Sequence, residues 1–202
     1  MTIKLTKNEL RIQQTRLSQF QRYLPTLQLK KAMLQFEVSL VLMDIQKLKE
    51  EFDLLRSRVE VFSPFLVEKV ACDVMQYAEI LLVKKSYENV AGVEIPIFGK
   101  VIFREPDYFL FDTPVWTDRA TELVRDLITA REKINVAEEK KRALEKELRE
   151  VSIRVNLFEK ILIPRSTDNI KKIRIFLGDQ QLAAVSQAKV AKRKIAMRKA
   201  AQ

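Results

Sequence analysis

The chain has 202 residues, 47% of them hydrophobic and 32% charged, with a net charge of +10 and only three glycines and six prolines. So many aliphatic and charged residues with so few breakers favour long helices over a loop-rich fold. With no histidine and a single cysteine, Cys72, the composition excludes an internal disulfide, a Cys/His zinc site and histidine-based acid–base or nucleophile chemistry.

Cys72 lies in an apolar run, VEKVACDVM, which fits a buried, inert thiol. Gly92, Gly99 and Gly178 are too scattered to cradle a phosphate or a dinucleotide. No catalytic residue, cofactor or metal is therefore expected. No segment approaches the ~18 uncharged apolar residues of a membrane span, and MTIKLTKNEL lacks the apolar core of a secretory signal. A cytosolic chain without direct membrane insertion is the reading.

The N-terminal segment carries a seven-residue repeat. With Leu10 as position a, the a series runs Leu10, Leu17, Leu24, Lys31, Val38, Ile45, Phe52, Val59, and the d series Gln13, Phe20, Leu27, Leu34, Val41, Leu48, Leu55, Phe62. Fourteen of these sixteen positions are apolar, which points to a left-handed coiled coil over residues 1–62. Pro25 removes one helical hydrogen bond, so a bend is expected near Tyr23–Leu24, with the helix continuing beyond it. Lys31 is read as a seam interruption whose ammonium reaches solvent along its stem.

Residues 63–116 form a middle head. Ser63–Pro64 closes the first helix, and Leu66, Val70, Val74, Ala78 and Leu81 share one face of a shorter amphipathic helix ending near Lys85. VEIPIF and VIFRE, on either side of Gly99–Lys100, read as a β-hairpin turning at those two residues, with Pro96 confining the first strand to an edge. Tyr108–Phe111 is a candidate third extended piece. Ile97, Phe98 and Phe103 are candidate partner contacts; with Tyr108, Phe109 and Phe111 the aromatics form either the core of the head or a partner surface. Trp116 is read as a packing residue where head and helices meet.

The second long helix, 117–202, starts at Thr117–Asp118, where Asp118 and Glu122 suit the positive end of the helix. Its seam runs Leu127, Ala130, Ile134, Ala137, Leu144, Leu148, Val151, Val155, Phe158, Leu162, with Lys141 as the one polar step. Pro164 marks a change of seam phase, after which Ile170, Ile173, Leu177, Ala184, Ala188, Ala191 and Ile195 follow. Asn156 is read as a polar seam residue that fixes register, and Arg154 and Asn156 as candidate partner contacts.

The fold expected is mainly α: the N- and C-terminal helices pair as a long antiparallel two-helix coiled coil, with a small middle head of one short helix and a β-hairpin. That arrangement brings both termini, and with them Leu10 and Ile195, to one end. A parallel homodimer through the N-terminal heptads is the second arrangement the pattern allows. Residues 1–36 hold seven Lys/Arg against Glu9 alone, and residues 180–202 hold six against no acid, so the two ends carry +12 between them. Brought together they make one basic tip, lined after Asp179 by small alanines. Lys192, Arg193 and Lys194 are its candidate contacts.

RVNLFEKILIPRSTDNIKKI, with Arg154, Val155, Asn156, Glu159, Ile163, Pro164, Ile170 and Ile173, resembles the D-subunit family of V-type and A-type rotary ATPases. NVAGVEIPIF, with Gly92, Val93 and Pro96, is similar to the same family's middle strand, and Asp118 and Ala120 to the start of its last helix. Leu27, Lys30, Lys31 and Leu34 match its N-terminal motif, whereas Gln28, Ala32 and Met33 stand where Lys, Asp and Glu are usual.

The resemblance implies a non-catalytic central-stalk rotor, a monomer within a hetero-oligomer at the cytoplasmic side of a membrane. Its implied partners are the hexamer of catalytic A and regulatory B subunits, the F subunit, and the subunit that couples the stalk to the membrane ring. Coupled ion and direction of catalysis stay open. The alternative is a coiled-coil nucleic-acid or scaffold protein with basic ends. The basic segments hold few aromatics for base stacking, and none beyond Phe176, so no nucleic-acid partner is expected.

Overall fold

The computed structural model describes residues 4–61, 64, 74, 78–105 and 114–200. The elements whose full extent is described are, in order, α1 (Lys7–Glu60), β1 (Ile80–Val90), β2 (Val93–Phe103), α2 (Thr117–Leu157), a π-turn (Phe158–Leu162) and α3 (Ile163–Ala200). The chain groups into two compact units, residues 1–29 with 151–202, and residues 30–150.

The heptad reading of α1 holds at the level of single residues. Every described a and d position from Leu10 to Val59 is buried or half-buried, including the two polar ones. Gln13 is only 7% exposed and donates to Glu9 Oε1 at 2.8 Å. Lys31 is half-buried.

Pro25 leaves the Gln21 carbonyl without its amide donor, at a cost of about 3 kcal/mol in a helix interior. The helix nonetheless runs through it. The proline occupies an exposed position, while Leu24 and Leu27 on either side remain half-buried in the seam. Seam packing outweighs local propensity here.

Within residues 30–150, α1 and α2 lie antiparallel. Lys30 Nζ meets Glu147 Oε1 at 2.7 Å, and Lys49 Nζ meets Glu138 at 3.9 Å. Leu34 and Leu144, one turn from the first pair, are both fully buried. Near the start of α2, Ala120 and Val124 pack with Val74 and Ala78, and Trp116 lies against that cluster, as expected of a packing residue.

The hairpin differs from its expected form. Ile80–Val90 is a strand, so Leu81 and the residues up to Lys85 are not helical as expected. β1 and β2 pair antiparallel from Ile80↔Phe103 to Val90↔Val93, and the chain turns at Ala91–Gly92 with both φ positive (51° and 80°). This is the two-residue geometry whose twist matches the strands. Asn89 Oδ1 accepts the Gly92 N–H at 2.9 Å and holds the turn closed.

The Gly99–Lys100 position, expected as the turn, is a bulge: Lys84 pairs with Lys100 and Lys85 with Phe98, leaving Gly99 over. Of the remaining head residues, 62–63, 65–73 (with Cys72, Leu66 and Val70), 75–77 and 106–113 (with Tyr108, Phe109 and Phe111) lie outside the described residues.

Ala91 bears a left-handed conformation that costs an L-residue roughly 1 kcal/mol and that asparagine tolerates better. Ala91→Asn, which creates an Asn-Gly turn, is expected to stabilise the hairpin by about 0.5–1 kcal/mol. Slower amide exchange across Ile80–Phe103 would register it.

In the other unit, the Phe20 and Phe158 rings pack edge to face, 5.3 Å apart at 82°. The antiparallel register they set puts the start of α1 level with about residue 171 of α3. That explains a second departure from expectation. Ile170 and Ile173 are buried and Leu177 is half-buried, but every described residue from Asp179 to Lys199 is exposed, Ala184, Ala188, Ala191 and Ile195 included. The alanines are no seam within this chain, because α1 ends before it reaches them. By the same register Leu10 lies level with about residue 168, some 40 Å of helix short of Ile195. The basic C-terminal segment is therefore an overhang of α3 alone.

Asn156 is also corrected. It is exposed, and the buried polar positions in this stretch are Ser166 and Asn169.

Candidate functional site

The hairpin lies along the helix pair, held at four levels. At its base the Arg125 guanidinium sits 5.3 Å from the Phe103 ring centre, and its Nη2 donates to the Arg104 carbonyl at 2.7 Å. Further along, Lys133 Nζ lies 5.9 Å from the centre of the Phe98 ring, and Lys85 Nζ binds Glu139 at 2.6 Å. At the turn, a Cβ on Gly92 would stand 3.7 Å from Lys30 Nζ, which itself binds Glu147. The helix rises about 33 Å from Arg125 to Glu147, and a strand of eleven residues spans about 36 Å. Hairpin and helix lengths match.

Each cation contact contributes on the order of 0.5–1 kcal/mol at a partly exposed site. Apolar burial does more. Ile95 is completely buried, and a groove of about 280 Å³ between hairpin and helices is lined by Val41, Leu48, Ile97, Phe98, Val136 and Ala137. Of the expected contact residues, Ile97 and Phe98 are thus half-buried at that groove, and Phe103 is half-buried beneath Arg125.

The surfaces left open lie elsewhere. On β1, Leu81, Leu82 and Tyr87 are 62%, 52% and 69% exposed. On α1, Met33, Phe36 and Met43 are about half exposed or more, and with Leu40 they repeat at steps of three and four on the face turned away from the seam. Coiled-coil outer positions are ordinarily polar, so that second stripe is visible in the heptad register as apolar residues where charge is the rule. The β1 patch gives no such signal, since its residues fit a helical spacing equally well.

Arg154 and Asn156 are exposed near the end of α2, and Lys192, Arg193 and Lys194 are exposed on the α3 overhang. These five residues belong to the unit of residues 1–29 and 151–202, and the hairpin to the unit of residues 30–150. Among the described residues no cluster of acidic or thiol side chains could hold a metal ion, and no helix is long and apolar enough to cross a membrane.

One unit presents a hairpin clamped to a helix pair and an outward apolar stripe, and the other a cationic helical overhang. The family model described as the D subunit of ATP synthase matches residues 9–193. The chain belongs to the ATP synthase D-subunit family.

Within that family it is similar to the V-type ATP synthase D subunit of Chlamydia caviae, 42% identical over 198 residues that cover 98% of this chain and 95% of the relative. The Chlamydia felis protein of the same description is 44% identical over 202 residues, with the same coverage. That of Chlamydia trachomatis serovar L2 is 40% identical and covered over 98% of both chains.

Proposed function

We propose that this chain is the non-catalytic central-stalk subunit of a V/A-type rotary ATPase, carrying torque between an ATP-handling hexamer and a membrane ion-translocating ring. The observation that supports this reading most is similarity to the V-type ATP synthase D subunit along 98% of the chain, with the whole helix–hairpin–helix order included. The physics agrees. A lone helix twists and bends under load, whereas two helices with buried seam side chains such as Leu34, Val41 and Leu144 resist sliding past one another.

In this reading the chain is a monomer within a hetero-oligomer, peripheral to the membrane on its cytoplasmic side. The helical parts, 1–62 and 117–202, form the shaft, and 63–116 the head. The α3 overhang, with Lys192, Arg193 and Lys194, sits in the bearing of the hexamer of catalytic A and regulatory B subunits. The head, with Ile97, Phe98 and Phe103, and the exposed Arg154 and Asn156 serve the F subunit and the subunit that couples the stalk to the ring. The overhang offers the bearing a single helical surface on which those cations alternate with alanines and with the exposed Leu182, Val185, Val190, Ile195 and Met197.

Co-expression with the A, B and F subunits tests this. A stable complex holding one copy of this chain per hexamer is expected, and ATP should drive rotation of a probe fixed to the hairpin turn. A hexamer that assembles and turns over ATP without retaining the chain would overturn the reading. Replacing Lys192, Arg193, Lys194 and Arg198 together by glutamine is expected to weaken retention about tenfold or more at low salt, since each cation contributes up to ~1 kcal/mol there. Unchanged retention and rotation would remove the overhang's charge from the mechanism.

A further inference from the structure

The seam of the C-terminal helix contains one residue too many. Val151, Val155, Phe158 and Leu162 are spaced four, three and four apart; Ser166, Ile170, Ile173 and Leu177 repeat the same spacing, and all eight are buried or half-buried. Between Leu162 and Ser166 the step is four, where the alternation calls for three. An unbroken α-helix in a heptad seam would turn Arg165, Asn169, Lys172 and Phe176 inward instead, placing two charges against α1.

The chain avoids this with the π-turn at Phe158–Leu162, in which the Ile163 N–H donates to the Phe158 carbonyl, five residues back. A π-turn takes up one inserted residue without ending the helix. Pro164 stands in the gap. Its ring clashes with the carbonyl four residues back in an α-helix and it has no N–H to donate, so the wider turn suits it.

Several features make this stretch weaker than its neighbours. The Pro164 donor is missing, and the Thr167 hydroxyl donates to the Ile163 carbonyl at 2.9 Å, a back-bond that loosens and bends helices. The seam also turns polar. Ser166 and Asn169 are 6% and 8% exposed, and Gln13 of α1, level with them in the register set by Phe20 and Phe158, is 7% exposed. Three buried polar side chains replace the branched apolar residues found above and below, and less apolar area holds the two helices together there.

We propose that residues 158–169 form a torsional hinge: the π-turn that stores the extra residue opens in preference to the α-helical turns before it, and α3 swivels about it relative to Val151–Leu157. The downstream grip is short, since among the described residues beyond it Ile170, Ile173 and Leu177 are the large apolar side chains that are not exposed before the overhang begins. Twist applied to the overhang therefore collects at the hinge instead of spreading along the helix.

Amide hydrogen exchange on the full-length chain tests the hinge with two variants, deletion of Pro164 and Pro164→Ala. In the wild type, the amides of 159–163 are expected to exchange about tenfold or more faster than those of Val151–Leu157. Deletion restores an unbroken heptad and should bring both segments to the same rate with helix content retained. Pro164→Ala keeps the extra residue and should stay fast. Uniform exchange in the wild type, a deletion variant that remains fast or loses its helix, or an alanine variant as slow as the flank would each overturn the proposal.

Discussion

Leu34→Ala is expected to lower the unfolding free energy by about 2–5 kcal/mol, and Leu144→Ala by a similar amount. Both side chains are completely buried, a turn away from the Lys30–Glu147 pair that fixes their level. Truncation removes apolar contact and leaves a void that two straight, mutually constrained helices cannot easily collapse around. Domains are stable by only about 5–15 kcal/mol, so either change takes a large share. The two losses should not add, because opposed residues empty the same space.

Urea denaturation followed by helix content checks this. The midpoint should fall strongly for either variant, with the double variant falling by less than the sum. Met33→Ala, one residue along but half exposed, should move stability by no more than about 0.5 kcal/mol. Equal effects at 33 and 34 would mean that the heptad seam is not what holds the helices together.

The helical parts are legible in the sequence because a seam imposes a period that nothing else imitates over so many turns. Even its irregular members, Gln13 and Lys31, lie where the period puts them, and Pro25 fails to interrupt it because its ring faces outward. The end of the seam is not legible in the same way. Ala184, Ala188 and Ala191 keep a helical spacing, but whether they are covered depends on where α1 begins, which is a property of register and not of α3. Asn156 has the polarity and the neighbours of a seam residue, although the position beside Val155 points outward; Ser166 and Asn169 occupy the polar layer instead.

The hairpin is legible as an element but not in its register, for a different reason. ILLVKKSYENV has no clear alternation, because β1 has one face open and a bulge at Leu81, left over between the Ile80–Phe103 and Leu82–Ile102 pairs, so Leu81 and the apolar residues before it thread onto a helix equally well. Glycine is also an ambiguous sign, marking a bulge at Gly99 and a turn at Gly92. What singles out the true turn is Asn89 and Gly92 together, spaced so that the asparagine side chain caps the glycine amide. The exposed Leu81, Leu82 and Tyr87, which are open to a partner, lie on the strand whose sequence is the less informative of the two.

Gly99→Val is the second change with a large expected effect, and it separates the bulge from a turn. A Cβ at Gly99 would meet the Lys84 carbonyl oxygen at 2.8 Å. Both sides of that contact are backbone, so the strands must part or slip. A slip of one residue would exchange the two faces of β2, taking Phe98 from beneath Lys133. The expected cost is about 1–3 kcal/mol, as for an overpacked interior, and it should fall on the hairpin alone. Amide exchange should rise across Ile80–Phe103 while Ala130–Leu148 keeps its protection, because the seam between α1 and α2 does not depend on the strands. Gly178→Ala supplies the contrast: its Cβ meets nothing within 4 Å, and alanine inside a helix should stabilise by about 0.5–1 kcal/mol. If valine at 99 left exchange in the hairpin unchanged, the bulge would not constrain the strands. If exchange rose in the helices as well, the hairpin would be part of what holds the pair together, and the stiffness assigned to the seam would have to be shared with the element clamped along it.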